Sequence, residues 1–381
     1  MTGPMTDATT NSAPLKDSFS QVAAHGDDVV LWFYAHLFHT HPEVRDLFPI
    51  AMTHQRDKLL GALGRIVADV DNLPVLVPFL QQLGRDHRKF ETLADHYPAV
   101  GASLIATLEH FAGEHWTADL AEQWRLAYQL IADVMIRAAE EAGAVTPAWW
   151  EGKVTGHERR RFDIAVVTAQ VSPELRYQPG QSVAVETALR PKLWRYYSPA
   201  CAPRADGTIE LHVRALDGGP VSSALVRELS VGDILRMGAP VGDMTLTHAD
   251  ARDLLLVAGG TGLAPLKALV DQLIGDPDTR HQRRVHLFAG VRTAEELYDL
   301  PALRMLAQQH PWLTVVPAVS QDGPFDGERG EICEVVARTG RWSDHEVYVC
   351  GPAAMVDATV ARMLDLGIAD DRIHYDSFAE Q

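Results

Sequence analysis

Cysteine is scarce in this sequence, and the few cysteines form no recognisable pattern. The three of them, Cys201, Cys333 and Cys350, lie far apart and lack the CxxC spacing of zinc and redox sites. An odd number without a pattern argues against a disulfide framework and against a structural zinc site. We therefore expect a protein of a reducing compartment, by default the cytoplasm.

Basic residues and long apolar runs are also in short supply. The chain carries 34 Lys and Arg against 51 Asp and Glu, a formal net charge of −17. Nucleic acids and anionic membranes would repel this charge, so we expect neither as a partner. No apolar run approaches the roughly 18–20 residues of a membrane span. Residues 1–14 lack the basic and apolar regions of a signal peptide and are predicted to be a disordered leader.

Three segments of different texture follow the leader, which predicts a multidomain protein. Residues 15–148 repeat apolar positions at a helical period and are predicted to be all-α. Residues 149–250 show short alternating runs between Pro and Gly turns, which is typical of an antiparallel β-barrel or sandwich. Residues 251–381 alternate short apolar strands with helices, which predicts a doubly wound α/β domain.

A glycine-rich loop opens the third segment. An apolar strand beginning at Leu254 runs into Gly260, Thr261 and Gly262, and Pro265 follows in a predicted helix. This arrangement presents free N–H groups and a helix dipole to a ligand, and glycine lets a pyrophosphate approach the backbone. The pattern is GxGxxP, and no GxxxxGK[ST] occurs, which argues against an NTPase. Taken alone, the loop also fits an ordinary αβ turn.

A second signal for the same crevice lies near the C-terminus. A late apolar strand ends in Cys350, Gly351 and Pro352 before a predicted helix. At the carboxyl edge of a parallel sheet, such a strand end lines the ligand crevice. Cys350 could equally be a small buried residue, which is how most free cysteines behave.

Two short motifs in the second segment suit a flavin nucleotide. In RYYS, Arg195, Tyr197 and Ser198 offer a guanidinium for a pyrophosphate, an aromatic face for a flavin ring and a hydroxyl for a ring nitrogen. Downstream, GGPVS supplies a glycine turn and a hydroxyl that could cap the next helix, which would make a second phosphate cradle. The candidate cofactor-binding residues of that motif are Gly219, Val221 and Ser222.

RYYS, GGPVS, GGTGLAP and CGPAAM, in this order, resemble the ferredoxin–NADP reductase superfamily. The resemblance implies a FAD-binding antiparallel β-barrel followed by an α/β NAD(P)-binding domain. It also implies that Arg195 and Ser222 bind the FAD pyrophosphate. Tyr197 would stack on the flavin ring, and Ser198 would hydrogen-bond near its N5 atom.

The same resemblance implies roles at the nicotinamide side. The GTG loop and Pro265 would shape the nicotinamide crevice, with Cys350 beside the path of the hydride. Phe378 matches a C-terminal aromatic residue that covers the other face of the flavin. Asp376 stands where a glutamate is usual, which leaves its role open.

His87 is the candidate metal ligand of the first segment. It shares one face of a predicted helix with Leu80 and Leu83, so its ring would be buried. Burying an unpaired ring nitrogen costs about 1–3 kcal/mol. Coordination to iron would satisfy this nitrogen, and so would a backbone carbonyl. Helical spacing does not decide between them.

The motifs around His87 resemble the globin domain of flavohaemoglobins. LWFYAHLFHTHPEVRDLF, HQRDKLLGAL, GRDHRKF and HYPAVGASLIATL follow the family's order, and WWEG begins the reductase as the family's linker does. The resemblance implies that His87 is the proximal ligand of haem iron. Tyr97 and Glu141 would form a hydrogen-bonded proximal group that makes the imidazole more electron-donating. Glu140, the neighbour of Glu141, is the alternative.

On the other face of the haem, the resemblance implies that Tyr34 and Gln55 face bound oxygen and that Phe48 packs on the haem. His54 is an alternative to Gln55, because the stretch between Phe48 and Gln55 is shorter than in familiar members. Tyr34 and Phe48 could also be plain core aromatics, and Gln55 a solvated residue at a helix start.

The activity implied by the resemblance is nitric oxide dioxygenase, an oxidoreductase with haem b, FAD and NADH as cofactors and O2 and NO as small-molecule partners. Nicotinamide delivers two electrons as a hydride, haem iron accepts one at a time, and a flavin converts between them. No obligate protein partner is expected. One alternative is a flavin reductase for another acceptor or small substrate, with a divergent globin. The other is an O2 or NO sensor, against which the lack of an output domain argues.

Two loops of the last segment predict a preference for NADH over NADPH. A 2′-phosphate needs cations, usually arginine. In NADP-selective members of the superfamily a serine is followed by arginine, whereas here Ser320 is followed by Gln321 and Asp322. The acids of the two loops outnumber Arg292, and Asp322 or Asp326 could accept a hydrogen bond from a ribose hydroxyl. They could also be solvated loop acids.

Overall fold

The protein is described by a computed structural model over residues 12–246, 252–276, 283–321, 323 and 325–378, apart from the side chain of His54. The chain divides into two compact units, of which the first ends at Ala148 and the second begins at Trp149. Most of the predicted leader lies outside the described residues, and the first helix begins at Ala13. None of the helices in these ranges is long and apolar enough to cross a membrane.

The first unit is all-α, as predicted. Its described helices are α1 (Ala13–Ala23), α2 (Asp27–Thr40), α3 (Thr53–Ala68), α4 (Leu73–His87), α5 (Tyr97–Ala112) and α6 (Ala118–Gly143). Local signals set the helix ends. Thr117, for example, caps α6 by accepting a hydrogen bond from the Leu120 amide at 3.2 Å.

A glycine brings the helix that carries His87 close to α6. A Cβ on Gly84 would collide with the backbone carbonyl of Met135 and would lie 2.7 Å from its Cα. The absence of a side chain therefore lets the two helix backbones nearly touch. Leu80 and Met135 pack in one buried cluster beside this contact. The last turn of α4 is thereby held against α6.

The second unit begins with an antiparallel β-barrel, as predicted. Its strands are β1 (Trp150–Arg159), β2 (Ile164–Ser172), β3 (Val183–Thr187), β4 (Arg195–Tyr197), β5 (Thr208–Arg214) and β6 (Ile234–Met237), with helix α7 (Pro220–Arg227). The sheet order is β4-β3-β6-β1-β2-β5. An antiparallel bridge between Pro199 and Leu211 joins the two edges, so the barrel is nearly closed.

A parallel sheet completes the second unit, in agreement with the predicted α/β fold. Its strands are β7 (Leu254–Gly259), β8 (Val285–Val291), β9 (Leu313–Val319), β10 (Glu328–Arg329), β11 (Glu346–Pro352) and β12 (Ile373–Phe378). The order β10-β9-β8-β7-β11-β12 reverses direction between β7 and β11. Ligands of doubly wound sheets bind at this switch point, outside the carboxyl ends of the strands.

Helices cover both faces of the parallel sheet, because successive side chains of each strand point to opposite faces. Leu254 and Leu256 pack on the side of α8 (Leu263–Gly275) and α9 (Leu300–Gln309). Leu255 and Val257 pack on the side of α10 (Ile332–Thr339) and α11 (Ala353–Asp365). A strand buried on both faces leaves only its ends accessible, and in doubly wound sheets the carboxyl ends are the ones that bind ligands.

Candidate active site

The glycine loop after β7 meets the end of β11. A Cβ on Gly262 would collide with the carbonyl oxygen of Cys350 and would lie 2.7 Å from the amide nitrogen of Gly351. A Cβ on Gly259 would lie 2.9 Å from Cδ of Pro352. Because only glycine permits this approach, the two motifs form one backbone-lined crevice at the switch point. The sequence-predicted residues brought together here are Gly260, Thr261, Gly262, Cys350, Gly351 and Pro352.

Cys350 is a fully buried wall of this crevice. It lies opposite Asp376 in the register of β11 and β12. Burial, reinforced by the Asp376 carboxylate, raises the pKa of the Cys350 thiol well above its ordinary value. The group therefore stays a neutral thiol at physiological pH and is not a nucleophile. Phe378 pairs with Pro352 in the same register, which places it at the same edge of the sheet.

Arg195 carries the clearest sign of an anionic ligand in the barrel. It is buried, and its Nη1 donates to the backbone carbonyl of Trp194 at 2.9 Å. Its Nη2 is buried without a hydrogen-bond partner among the described residues. A buried guanidinium nitrogen without an acceptor is costly, so the site fits a group that brings one. A FAD pyrophosphate supplies such oxygens.

The neighbouring residues of RYYS frame the same site. Tyr197 is half-buried on β4, and burial raises the pKa of its phenol, so the ring stays neutral. The Ser198 hydroxyl lies 3.0 Å from the Ser182 hydroxyl, so one of its hydrogen-bonding positions is already used. These side chains are polar or aromatic, which suits the face of a flavin ring.

The hydroxyl of the GGPVS motif is already engaged in local hydrogen bonds. Ser222 Oγ accepts a hydrogen bond from the Leu216 amide and donates one to the Gly219 carbonyl, each at 3.2 Å. Val221 is fully buried in the barrel core. Only the backbone of Val221 could therefore touch a cofactor, and Ser222 would have to exchange one of its bonds.

His87 ends α4 with one ring nitrogen committed and the other available. Its Nδ1 lies 2.7 Å from the carbonyl oxygen of Leu83, one helical turn earlier. A carbonyl can only accept, so Nδ1 carries the proton and Nε2 keeps its lone pair. Burial lowers the pKa of His87, which keeps the ring neutral. No hydrogen bond occupies Nε2 within the part of the chain that is described, so the residue fits an iron ligand.

The predicted proximal group is assembled only in part. Tyr97 begins α5 and packs in the same cluster as Leu83, and burial raises the pKa of its phenol to about 12. Glu140 and Glu141 are both exposed, and within the described ranges neither hydrogen-bonds to His87 or Tyr97. The partner of His87 Nδ1 is therefore a backbone carbonyl, which orients the ring without adding a charge.

The distal residues lie together around Tyr34. Its ring is buried, with centroids 5.7 Å from Phe38 and 5.6 Å from Phe48. Its hydroxyl lies 3.5 Å from the backbone oxygen of Gln55, in the first turn of α3, which is at the limit of a hydrogen bond. Burial raises the pKa of Tyr34 to about 12, so the phenol remains a donor. The side chain of His54 lies outside the described residues.

Sequence reasoning missed Arg45 beside this pocket. Its Nη1 donates to the carbonyl oxygens of Phe48 and Pro49 at 3.1 and 3.2 Å, and its guanidinium lies 4.9 Å from the Phe38 ring centroid. Arg45 thus holds the short segment that carries Phe48. Its position three residues before Phe48, in a segment rich in polar residues, gives no distinctive signal.

Sequence reasoning also missed the outward face of β5. Arg214 Nη1 would lie 3.8 Å from a Cβ on Gly260, so this guanidinium borders the glycine loop. Its Nε donates to Asp163 at 3.0 Å. The signal was available in ELHVR, where polar residues alternate with apolar ones and predict a strand with a polar outer face.

The loops predicted to read the 2′-position lie side by side. The Gln321 amide donates to the Arg292 carbonyl at 2.9 Å. The Arg292 guanidinium is engaged by Glu296 at 3.0 Å. Asp322 lies outside the described residues, and Asp326 is exposed.

Three known protein families match three successive segments of the chain, and each family corresponds to the fold described for that segment. The globin family matches residues 31–135, the oxidoreductase FAD-binding domain residues 151–246, and the oxidoreductase NAD-binding domain residues 256–361. Together with the neutral His87 ring, the Arg195 Nη2 that has no partner among the described residues, and the glycine cradle, these matches define an NAD(P)H-dependent oxidoreductase that carries a haem globin. The predicted cofactors haem, FAD and NAD(P) are thereby confirmed.

Relatives that match nearly the whole chain identify the family within this class of oxidoreductases. A flavohemoprotein of Bordetella parapertussis is 30% identical over 93% of this chain and 94% of its own. A flavohemoprotein of Bacillus subtilis is 27% identical over 96% of each chain. The chain belongs to the flavohaemoglobin family, as the sequence motifs predicted.

Solved structures support the same architecture. A flavohemoglobin from Malassezia yamatoensis with bound FAD and heme has a TM-score of 0.79, covering 98% of this chain and 99% of that one, at 19% identity. The flavohem-like FAD/NAD-binding domain of a nitric oxide dioxygenase from Vibrio cholerae has a TM-score of 0.54 over 60% of this chain, at 22% identity. Their likeness shows the fold of the whole chain and of its reductase part.

Proposed function

We propose that this flavohaemoglobin is a nitric oxide dioxygenase driven by NADH. The reaction is 2 NO + 2 O2 + NADH → 2 nitrate + NAD+ + H+, so one hydride supplies the two electrons of two turnovers. FAD held at Arg195 would convert the hydride into single electrons, and a haem held at His87 would supply an iron that binds a diatomic gas. The Vibrio cholerae domain, described as part of a nitric oxide dioxygenase, supports the assignment for the reductase half.

The observation that carries the proposal is the protonated phenol of Tyr34. It is 6% exposed and lies among aromatic rings, and its described neighbours Phe38 and Phe48 carry no charge. A donor fixed in such a dry place stabilises partial negative charge on a ligand more strongly than water does. Since its pKa is raised to about 12, the proton stays on the phenol throughout the physiological range.

Each remaining site residue has one proposed task. His87 would present its neutral Nε2 to the iron, oriented by the Leu83 carbonyl. Tyr97 would pack beside it, and the roles of Glu141 and Gln55 rest on the family resemblance. Phe48, held through Arg45, would pack on the haem.

In the second unit, the proposed tasks follow the ligand charges. Arg195 and the GGPVS turn would bind the FAD pyrophosphate, and Tyr197 and Phe378 would flank the ring, with Ser198 at its edge. The GTG loop would bind the dinucleotide, with the neutral Cys350 beside the hydride path. For the nucleotide we propose NADH, since Glu296 already engages Arg292.

The decisive experiment measures stoichiometry. Purified protein with haem and FAD is mixed with NADH, O2 and NO, and NADH loss, NO loss and nitrate are followed together. We expect two NO consumed and two nitrate formed for each NADH. NADH oxidation that is unchanged by NO, with peroxide as product and no nitrate, would overturn the proposal. An FAD- and NADH-competent protein with a mutated haem ligand serves as the control.

A further inference from the structure

Strand β5 of the barrel has an inner face in the barrel core and an outer face that contacts the α/β part of the same unit. Between Thr208 and Arg214, alternate residues of β5 pack into the barrel core. The residues between them, Glu210 and His212, have side chains directed to the dinucleotide-binding half of the unit. The Glu210 carboxylate meets Lys267, and the His212 ring lies 2.8 Å from the Tyr298 hydroxyl.

Lys267 is the point where this strand meets two helices. Its Nζ lies 2.8 Å from Glu210 Oε1 on β5 and 3.3 Å from Asp299 Oδ2, the residue that precedes α9. Lys267 itself belongs to α8, which continues directly from the glycine loop. A single ammonium group therefore links the barrel to the helix that follows the GTG motif.

The charged groups around Lys267 form one small network. Asp299 is 1% exposed and is also 3.8 Å from Nη1 of Arg160, whose Nη2 pairs with the exposed Glu158 at 3.0 Å. Two cations therefore face two enclosed carboxylates, Glu210 and Asp299, and one exposed carboxylate. Burial opposes ionisation of Glu210, but hydrogen bonds from His212 and Lys267 outweigh it and lower its pKa to about 2. Burial also opposes the charge on Lys267, yet Asp299 and Glu210 raise its pKa. Buried clusters of this kind add little stability over apolar packing, but they can fix one geometry.

The same stretch of β5 holds the flavin motif. Leu211 bridges Pro199, the residue after Ser198. The Glu210 carbonyl accepts a hydrogen bond from the Ala200 amide at 2.7 Å. The backbone of Glu210 thus contacts the segment that follows RYYS, while its side chain contacts Lys267 on the helix that follows the glycine loop. One residue joins the two sites between which a hydride must pass.

We propose that Lys267 is a positioning residue for hydride transfer, which holds the glycine loop in register with the flavin motif through Glu210 and Asp299. Hydride transfer needs reacting atoms within about 3–3.5 Å, and a misplacement of about 1 Å can cost roughly a hundredfold in rate. The inference rests on the flavin-reduction half of the proposed function and not on the reaction with NO.

The test uses the full-length protein with FAD, under anaerobic conditions and without NO. In Lys267→Met, we expect the limiting rate of flavin reduction by NADH to fall at least tenfold. The dissociation constant of ADP-ribose, which needs the glycine loop but no nicotinamide placement, should change less than threefold. Lys267→Arg should restore the rate to within about threefold of the parent.

A second readout needs no turnover. Without nucleotide, amide hydrogen exchange in residues 259–266 should become faster in Lys267→Met than in the parent. The matched control is Arg338→Met, which breaks an exposed ion pair of 2.7 Å with Glu328 in the same unit. This control should leave both the flavin-reduction rate and the exchange of residues 259–266 unchanged.

The double variant Lys267→Met/Glu210→Gln guards against simple misfolding. The single change removes the cation that lies between Glu210 and Asp299, whereas the double change also removes the Glu210 charge and leaves Asp299 beside Arg160. It should fold and still reduce its flavin at least tenfold more slowly. A rate within twofold of the parent in either variant would overturn the proposal. So would a parallel loss of ADP-ribose affinity, which would indicate a collapsed loop. Failure of nitric oxide dioxygenase activity alone would not affect it.

Discussion

The candidate haem site and the candidate nucleotide sites are built from different groups. In the first unit the central groups are neutral, namely the His87 ring, the Tyr34 phenol and the Phe48 ring. In the second unit they are glycine backbone and buried charge, as in Gly262 and Arg195. The proposed ligands differ in the same way, because diatomic gases are uncharged and FAD and NADH carry pyrophosphates. The comparison teaches that neutral donors and dipoles should be tested in the first unit, and backbone shape and charge in the second.

The largest expected effect comes from replacing His87, which should affect the cofactor of the first unit and leave that of the second unit in place. His87→Ala should lower haem affinity more than a hundredfold, because it removes the only nitrogen we assign to the iron, while FAD stays bound. The ratio of Soret to flavin absorbance in purified protein measures this. His39→Ala, at an exposed position of α2, is the matched control and should keep both cofactors. Loss of both cofactors together would show that the sites are not independent.

Tyr34→Phe tests whether a hydrogen bond from a neutral phenol stabilises O2 bound in the first unit. One hydrogen bond to a charge-bearing ligand is worth about 1.5–3 kcal/mol, which corresponds to roughly a ten- to hundredfold faster release of O2. Reduction of the haem by NADH should be nearly unchanged. Flash photolysis of the reduced protein measures the release rate.

The pH dependence of the O2 release rate tests whether the Tyr34 phenol acts in its protonated form. With a pKa raised to about 12, the Tyr34 phenol is protonated at every pH well below that value. The release rate of the parent should therefore stay flat from about pH 6 to pH 10 and rise only above it. A release rate that Tyr34→Phe leaves unchanged would move the distal role to Gln55 or His54.

Gly262→Ala tests the shape of the nucleotide crevice. The added Cβ would collide with the Cys350 carbonyl, and overpacking of this kind costs about 1–3 kcal/mol. We expect ADP-ribose affinity to fall about tenfold while FAD content and haem content are kept. Gly275→Ala is the control, since its Cβ would meet no atom within 4 Å. Equal effects of the two changes would contradict the assigned crevice.

The features that sequence predicted correctly are local in the chain. The helical period, the strand alternation and the glycine loop are each contained in a short window, and each gave the right fold. The tie between Lys267 and Glu210 spans 57 residues and depends on how the barrel meets the sheet, so no local pattern reveals it. The exposure of Glu141 depends on which face of the 26-residue helix α6 packs against the other helices, and this is also a long-range property that no short window reveals.

The smallest expected effect concerns the choice between NADH and NADPH, where the second unit's charges act at its surface. NADH should have the higher kcat/KM, because the Arg292 guanidinium is already engaged by Glu296 and the neighbouring residue is Gln321. Gln321→Arg would add a cation beside Arg292 without disturbing the backbone bond that joins them. The kcat/KM ratio should then shift several-fold toward NADPH, since a near-dianionic phosphate gains a charge-assisted hydrogen bond. Gln309→Arg adds the same charge at an exposed site on α9 and should leave the ratio unchanged. Equal kcat/KM values in the parent, or no shift in Gln321→Arg, would place the 2′-position elsewhere.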